Sequence, residues 1–405
     1  MKHDPKSFYL HCEVCCTDYE ESSGLYQCPS CGGRLWVRHN DSIALVTNSS
    51  IRGMWRYQAH LPVVKKDRYI SLGEGDTPLI RLEYEKSPVL LKCENINPTG
   101  TYKDRPASLA VSRARELGAS GVTVASDGNT APAVAAYAAK ANLDCVVFMP
   151  KETPPFRYTQ AAAFGARVIL IDGDVNACLE LANQLSEAAG YHHCSTAGYV
   201  NPYQLEANRT ISYEIVESLG DAPDWVSLPL GGGGLMIGLY LGFKQLYEAG
   251  KTSRIPRLLP VQSASCAPFV RAAKLNSRLE RWTKPIRTIA FPIAVPYPPD
   301  GDAALIYLQE SGGEAVAVTD ARLLEGVRYL ASKYGVFAEP AGAISFVGYL
   351  QALEEGIIKA DETLVGIISG TGLKSMETFV GNHTMVHTIE GTIGEVLSII
   401  NQPSK

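Results

Sequence analysis

From residue 71 onward, short apolar runs alternate with stretches of helical period. "GVTVAS" (121–126) has the composition of a buried strand, and "NTAPAVAAYAAKA" (129–141) predicts a helix. "DCVVFMP" (144–150) predicts a second strand, "RYTQAAAFG" (157–165) a helix, "RVILID" (167–172) a strand and "NACLELANQLSEAAG" (176–190) a helix. Later, "WVSLPL" (225–230) runs into four glycines and then "LMIGLYLGFKQLYEAG", and "TLVGIIS" (363–369) runs into "GTG". Near-continuous apolar strands separated by amphipathic helices predict an α/β fold with open parallel sheets covered on both faces. Such folds bind ligands in the loops at the carboxyl ends of strands. Three such loops are Gly-rich or polar: 126–130, 231–234 and 369–372.

Composition narrows the class. With 405 residues, 46% of them apolar and 20% charged, the chain can bury a sizeable core. A net charge of -5 without a basic cluster argues against a nucleic-acid partner. The apolar runs are too short to span a bilayer. The opening "MKHDPKSFYLHCEVCC" has no apolar signal core, so a cytoplasmic location is expected.

Five of the ten cysteines fall within residues 12 to 31. Cys12, Cys15, Cys28 and Cys31 form two C-x2-C pairs, and "CPSCGG" supplies the tight turn of a metal knuckle. Two such pairs can hold a tetrahedral Zn²⁺ through four thiolates, with no open position for chemistry. Reduced or disulfide-bonded structural cysteines are the competing reading, and Cys16 leaves open which thiol of the first pair binds. A zinc-ribbon-like module is expected over residues 1–45, with residues 46–70 as a connecting arm.

The stretch "NINPTGTYKDRP" (95–106) sets Lys103 after a turn and at the start of a helix that continues through "ASLAVSRARELG". A helix N-terminus and partial burial both disfavour a charged amine. A neutral amine can form a Schiff base. In "LPLGGGGLMIG", four glycines between a strand and a helix let backbone N–H groups approach an anion closely. No Gly-Lys-Ser/Thr follows, so this is not a nucleotide P-loop. A phosphate cradle together with a tuned lysine points to pyridoxal 5'-phosphate.

The motifs also carry a resemblance. "NPTGTYKDRPASLA" is similar to the N-P-T-G-S-F-K-D-R-G segment of the threonine synthases, and "ASDGNTAPAVAAYAAKA" to their A-S-T-G-N-T segment. "PLGGGGLMIG", "PVQSASCAPFVRA", "ESGGEAVAVTD", "GVFAEPAGA" and "ISGTGLK" follow in the family's order, and the cysteine-rich start and "GMWRY" resemble the longer members. The resemblance, from about residue 12 to about 375, implies a fold-type II pyridoxal phosphate enzyme: two α/β domains with the cofactor in the cleft between them. The expected division is residues 46–95 as the arm and the start of the large domain, 96–205 as a smaller mobile domain and 206–405 as the rest of the large domain.

It also implies roles. Lys103 matches the Schiff-base lysine and proton carrier. Asn129 matches the residue that bonds the cofactor's phenolic oxygen. Gly231, Gly232, Gly233, Gly234 and Leu235 match the phosphate loop. Ser369 matches the hydroxyl facing the pyridine nitrogen. Ser126, Asp127 and Thr130 fall in the loop that holds the substrate carboxylate. The implied reaction converts O-phospho-L-homoserine and water into L-threonine and phosphate, in a homodimer.

Three departures qualify this. Asp127 stands where the family has threonine, and a similar "DGN" occurs in diaminopropionate ammonia-lyases. Pro106 replaces a glycine. "IAFPIAVPYPPDGDAA" (289–304) replaces a segment that carries an arginine in the family. These keep two other readings in view: a lyase or β-replacing synthase for a different amino acid, of serine/threonine dehydratase or diaminopropionate ammonia-lyase type, and a non-catalytic binding protein on the same scaffold.

Overall fold

The computed structural model describes residues 8–20, 25–39, 47–63, 69–84, 87–198, 200–379 and 388–400. An N-terminal module of three antiparallel strands comes first: β1 (Phe8–Cys12), β2 (Thr17–Tyr19) and β3 (Leu35–His39), in the order β2-β1-β3. Its small core of Phe8, Leu10, Leu35 and Val37 is completed by Tyr203 from the body of the protein. A module this small cannot bury enough apolar surface by itself, so it leans on its neighbour and on its cysteines.

Within the expected arm of residues 46–70, the described stretch 47–63 is more than a connector. A short 3-10 segment, Gly53–His60, buries Met54, Trp55 and Tyr57 completely. The Trp55 indole N–H lies 2.8 Å from both Glu74 Oε1 and Ser108 Oγ.

Two sheets follow. The strands β4 (Leu79–Tyr84) and β5 (Ser87–Lys92) enter a six-stranded sheet. The chain then leaves it through helix α1 (Asp104–Glu116) and builds a four-stranded sheet. That sheet comprises β6 (Gly121–Ala125), β7 (Asp144–Pro150), β8 (Arg167–Ile171) and β9 (Tyr191–His193), all parallel. Helices α2 (Thr130–Ala141), α3 (Pro155–Ala163) and α4 (Val175–Ala189) are its crossovers. Alanines dominate α2, and its flank from Thr130 to Ala138 is buried, which lets it pack between α1 and the sheet.

Helix α5 (Gln204–Leu219) returns the chain to the larger sheet. This sheet gains β10 (Trp225–Pro229), β11 (Arg257–Ser263), β12 (Val316–Val318) and β13 (Leu364–Ile367). Helices α6 (Gly234–Glu248), α7 (Pro268–Leu275) and α8 (Gly301–Ser311) cover one face. Helices α9 (Asp320–Tyr334) and α10 (Pro340–Glu354) cover the other. Helix α6 lies close against α5 because a Cβ on Gly238 would come within 2.4 Å of Asn208 Cβ. A final helix, α11 (Ile393–Ile400), ends the described chain.

The predicted strands and helices are all present. One detail differs: the large sheet is mixed, because β4 pairs antiparallel with β5 at the sheet edge. Edge positions tolerate this without disturbing the parallel core. Among the described residues no helix is long and apolar enough to cross a membrane.

The strand orders locate the site. They are β12-β11-β10-β13-β5-β4 and β8-β7-β6-β9. In the large sheet the winding reverses between β10 and β13; in the small sheet it reverses between β6 and β9. Crevices open at the carboxyl ends of strands at such reversals. The loops after these four strands are 230–234, 368–371, 126–129 and 194–198.

Candidate active site

Those four loops converge on one cavity of 290 Å³. Lys103, Ser126, Asp127, Asn129, Thr130, Gly231 to Gly234, Leu235 and Ser369 all line it. Every residue expected at the cofactor or substrate is therefore in one place. The volume is near the lower end of ordinary ligand pockets, about 300–1,000 Å³.

Lys103 is the residue before α1, so its amine stands at the helix N-terminus as the sequence predicted. Its Nζ donates to Thr196 Oγ1 at 3.0 Å and lies 4.9 Å over the Tyr102 ring. Thr196, on the loop after β9, also meets Thr130 Oγ1 at 3.2 Å. The backbone on either side is fixed. Tyr102 N and Thr101 Oγ1 both donate to Ser369 O at 3.0 Å, and Thr371 N donates to Gly100 O at 2.9 Å. Just inside the helix, Arg105 is fully buried. It reaches Glu94 through Nε at 2.8 Å and Glu214 through Nη1 at 2.7 Å, while Lys92 joins Glu214 at 2.6 Å. The arginine holds the Glu214 carboxyl down to about 2, against the burial that would raise it. Breaking such a buried cluster by removing one partner typically costs about 3–5 kcal/mol, so the start of α1 is firmly anchored.

The glycine loop fits an anion. Gly233 has φ +102, a left-handed conformation that L side chains rarely adopt, and it turns the chain into α6. Among the described residues no backbone carbonyl accepts the amides of Gly231, Gly232 or Gly233. Unused donors at a helix N-terminus are what a phosphate requires. The outer side of the loop is packed by the 289–304 segment. A Cβ on Gly231 would meet Ile293 Cα at 3.3 Å, and one on Gly232 would meet Pro299 Cγ at 3.4 Å.

Across the cavity, Asn129 Nδ2 donates to Glu339 Oε1 at 2.7 Å. Glu339 is buried, its Oε2 has no hydrogen-bond partner among the described residues, and burial raises its pKa against the pull of Lys374, Asn129 and Arg157. Ser126 Oγ accepts from Gly128 N at 3.2 Å, which shapes the turn before α2. Burial also raises the pKa of Asp127; its own backbone and Arg157 oppose this. Beside the lysine, burial pushes Asp104 up to about 7, although Thr99 donates to it through N at 3.1 Å and Oγ1 at 3.0 Å. Thr196 and Glu339 are the site residues that sequence reasoning missed. Glu339 lies within the quoted "GVFAEPAGA", which was the available signal; Thr196 had none.

In the N-terminal module the sulfurs of Cys12, Cys15, Cys28 and Cys31 lie within 4.8 Å of one another. Cys12–Cys31 and Cys15–Cys28 are each 3.5 Å apart. Tetrahedral Zn–S bonds of about 2.3 Å separate sulfurs by about 3.8 Å, so the residues fit that ion. Cys16 is exposed, takes a left-handed φ of 53 and stands outside the cluster. The cluster therefore uses Cys15.

Comparison with known proteins agrees with this geometry. Residues 70–370 match the family "Pyridoxal-phosphate dependent enzyme". The chain is 38% identical to the threonine synthase of Synechocystis sp. over 333 residues, covering 80% of this chain and 84% of that protein. It is 35% identical to the threonine synthase of Methanocaldococcus jannaschii, covering 91% and 93%. Among solved structures it is similar to the threonine deaminase of T.th., with a TM-score of 0.62, 26% identity, and 73% and 92% coverage. O-ureido-L-serine synthase shares the fold at a TM-score of 0.62 and 22% identity, with 80% and 96% coverage.

Proposed function

The chain belongs to the pyridoxal-phosphate dependent enzymes and, among them, to the threonine synthase family; from that premise we propose how its cavity converts O-phospho-L-homoserine and water into L-threonine and phosphate. The observation that carries this reading is the convergence of Lys103, the glycine loop and Ser369 on one cavity. The amides of Gly231 to Gly233, which no described backbone carbonyl accepts, with Gly234 and Leu235 at the start of α6, would hold the cofactor phosphate. Lys103 would hold the cofactor through its aldehyde, Asn129 would bond its phenolic oxygen, and Ser369 would offer a neutral hydroxyl to its pyridine nitrogen. The cofactor, when bound, supplies an electron sink for bonds breaking at the substrate's Cα and Cβ.

The chain's own groups do the rest. The Lys103 amine, released from Thr196, takes and returns protons at Cα and beyond; one amine on a long stem reaches several atoms. Ser126 and Thr130, with loop amides at the start of α2, bind the substrate carboxylate. Glu339 holds Asn129 in place through its 2.7 Å bond. The apolar segment Phe291–Val295 lines one side of the cavity. Residues 96–205 act as the smaller, mobile domain in this reading, against 46–95 and 206–405. The module of residues 1–45 binds one structural zinc, and the enzyme is a cytoplasmic homodimer, which light scattering after size exclusion tests.

One observation favours a second reading. Lys103 is the only cation among the described lining residues, whereas Asp127 and Glu339 both line the cavity. A phosphate-bearing side chain prefers a more cationic wall, so ammonia elimination from a different amino acid remains the competing activity. Phosphate release from O-phospho-L-homoserine, measured beside ammonia release from serine, threonine and diaminopropionate, separates the two.

A further inference from the structure

We propose that Arg34 of the four-cysteine module is a positioning residue for the cofactor: by neutralising Asp300 it allows the glycine loop to hold a phosphate. This rests on the reading of Gly231 to Gly234 as the phosphate cradle.

Asp300 is fully buried and lies against that loop. Its backbone N donates to Gly232 O at 2.8 Å. A Cβ on Gly233 would lie 3.1 Å from Asp300 Cβ, and one on Gly234 would lie 3.4 Å from Asp300 Oδ2. A carboxyl group is thus built into the wall of an anion site. Uncompensated, it would repel a phosphate strongly in a buried setting. Burial raises the carboxyl's pKa, and Arg34 is the largest influence opposing that rise.

Arg34 approaches Asp300 Oδ1 at 3.2 Å and donates to Pro299 O at 2.6 Å. Its guanidinium lies 5.4 Å over the Trp36 ring, and Trp36 meets Tyr307 of α8 edge-on at 6.4 Å. The turn that places the thiolates also places this arginine. Cys28 N donates to Gly33 O at 2.8 Å, and Gln27 pairs with Arg34 in an isolated antiparallel bridge. A four-thiolate cluster has no open position for catalysis, yet through Arg34 it reaches the cofactor loop.

The carboxylate has a second tie. Asp300 accepts from Gly198 N at 3.1 and 3.2 Å. Gly198 lies two residues beyond Thr196, the acceptor for the Lys103 amine. Asp300 therefore joins the phosphate loop to the loop that seats the lysine, and Arg34 sets its charge.

The test is a binding titration of cofactor-free protein with pyridoxal 5'-phosphate and, separately, with pyridoxal, which lacks the phosphate, followed by absorbance. Arg34→Met should weaken pyridoxal 5'-phosphate about 5- to 150-fold, the usual range of coupling between sites, and change pyridoxal little. Arg34→Lys should retain most of the affinity. Adding Asp300→Asn to Arg34→Met should restore most of what was lost, and Asp300→Asn alone should bind at least as tightly as wild type, which decides the matter if Arg34→Met does not fold. Equal losses toward both ligands, no loss at all, or no rescue by Asp300→Asn would overturn the proposal. A wild type that binds the two ligands equally would instead overturn the phosphate cradle itself.

Discussion

Thr196 Oγ1 accepts a 3.0 Å hydrogen bond from the Lys103 amine, which ties the loop after β9 to the start of α1. The bond seats the amine at the cavity wall. Thr196→Val should keep the fold and lower kcat by about two- to tenfold, since an ordinary hydrogen bond is worth about 0.5–1.5 kcal/mol. KM should move less. Lys103→Ala should keep the fold and abolish turnover, and borohydride reduction of the wild type should fix the cofactor on the Lys103 peptide. A fully active Lys103→Ala would reject the assignment.

Asp104 supplies a pH dependence of stability. Its folded pKa of about 7 lies above the ordinary 3.8 because the side chain is buried. A folded state that holds the proton more tightly is favoured at low pH, and that advantage is lost as pH rises from about 4 through about 7. Each unit of upward shift corresponds to about 1.4 kcal/mol. Asp104→Asn should keep an acceptor for Thr99 and remove the dependence. Urea denaturation midpoints for the two proteins should converge near pH 4 and diverge towards pH 8, with the variant more stable. Parallel curves would show that Asp104 does not titrate in this window.

The cysteine cluster predicts one zinc per chain. Cys15→Ser should lower zinc content and the melting temperature, because the ligand is one of four within 4.8 Å. Cys16→Ser should leave zinc content unchanged, because that thiol stands apart. Elemental analysis of protein purified without chelator checks both. Equal losses in the two variants would mean that the first pair exchanges its ligands.

Where the fold was legible in the sequence, physical periodicity made it so. Strands such as Gly121–Ala125 are buried along their length and so run apolar without alternation. Helix α2 begins within one residue of the expected position because Asn129 and Thr130 mark its start. The buried arm was not legible: Gly53–His60 is too short for a helical period, and its Trp55 is satisfied by Glu74 and Ser108 from separate elements. Lys103, the glycines and the four cysteines were visible because their chemistry needs a fixed spacing. Thr196 and Arg34 act through contacts to residues far along the chain, and no local pattern announces such contacts.

Asp127 separates the two activities most sharply. It lines the cavity beside Asn129 and Thr130, burial raises its pKa, and Arg157 opposes that shift. If the substrate is O-phospho-L-homoserine, a carboxylate near the substrate's own carboxylate is tolerated because Arg157 offsets it. Asp127→Thr should then keep or improve phosphate release. If the substrate carries a second amine, Asp127 can pair with it or take its proton. A general base contributes about 100- to 10,000-fold, so Asp127→Thr should cut ammonia release by a comparable factor and Asp127→Asn should not restore it. The threonine synthase reading expects the first result, given identities of 38% and 35% over most of the chain. A wild type that releases no phosphate from O-phospho-L-homoserine, while turning over another amino acid in an Asp127-dependent manner, would assign the cavity to elimination instead.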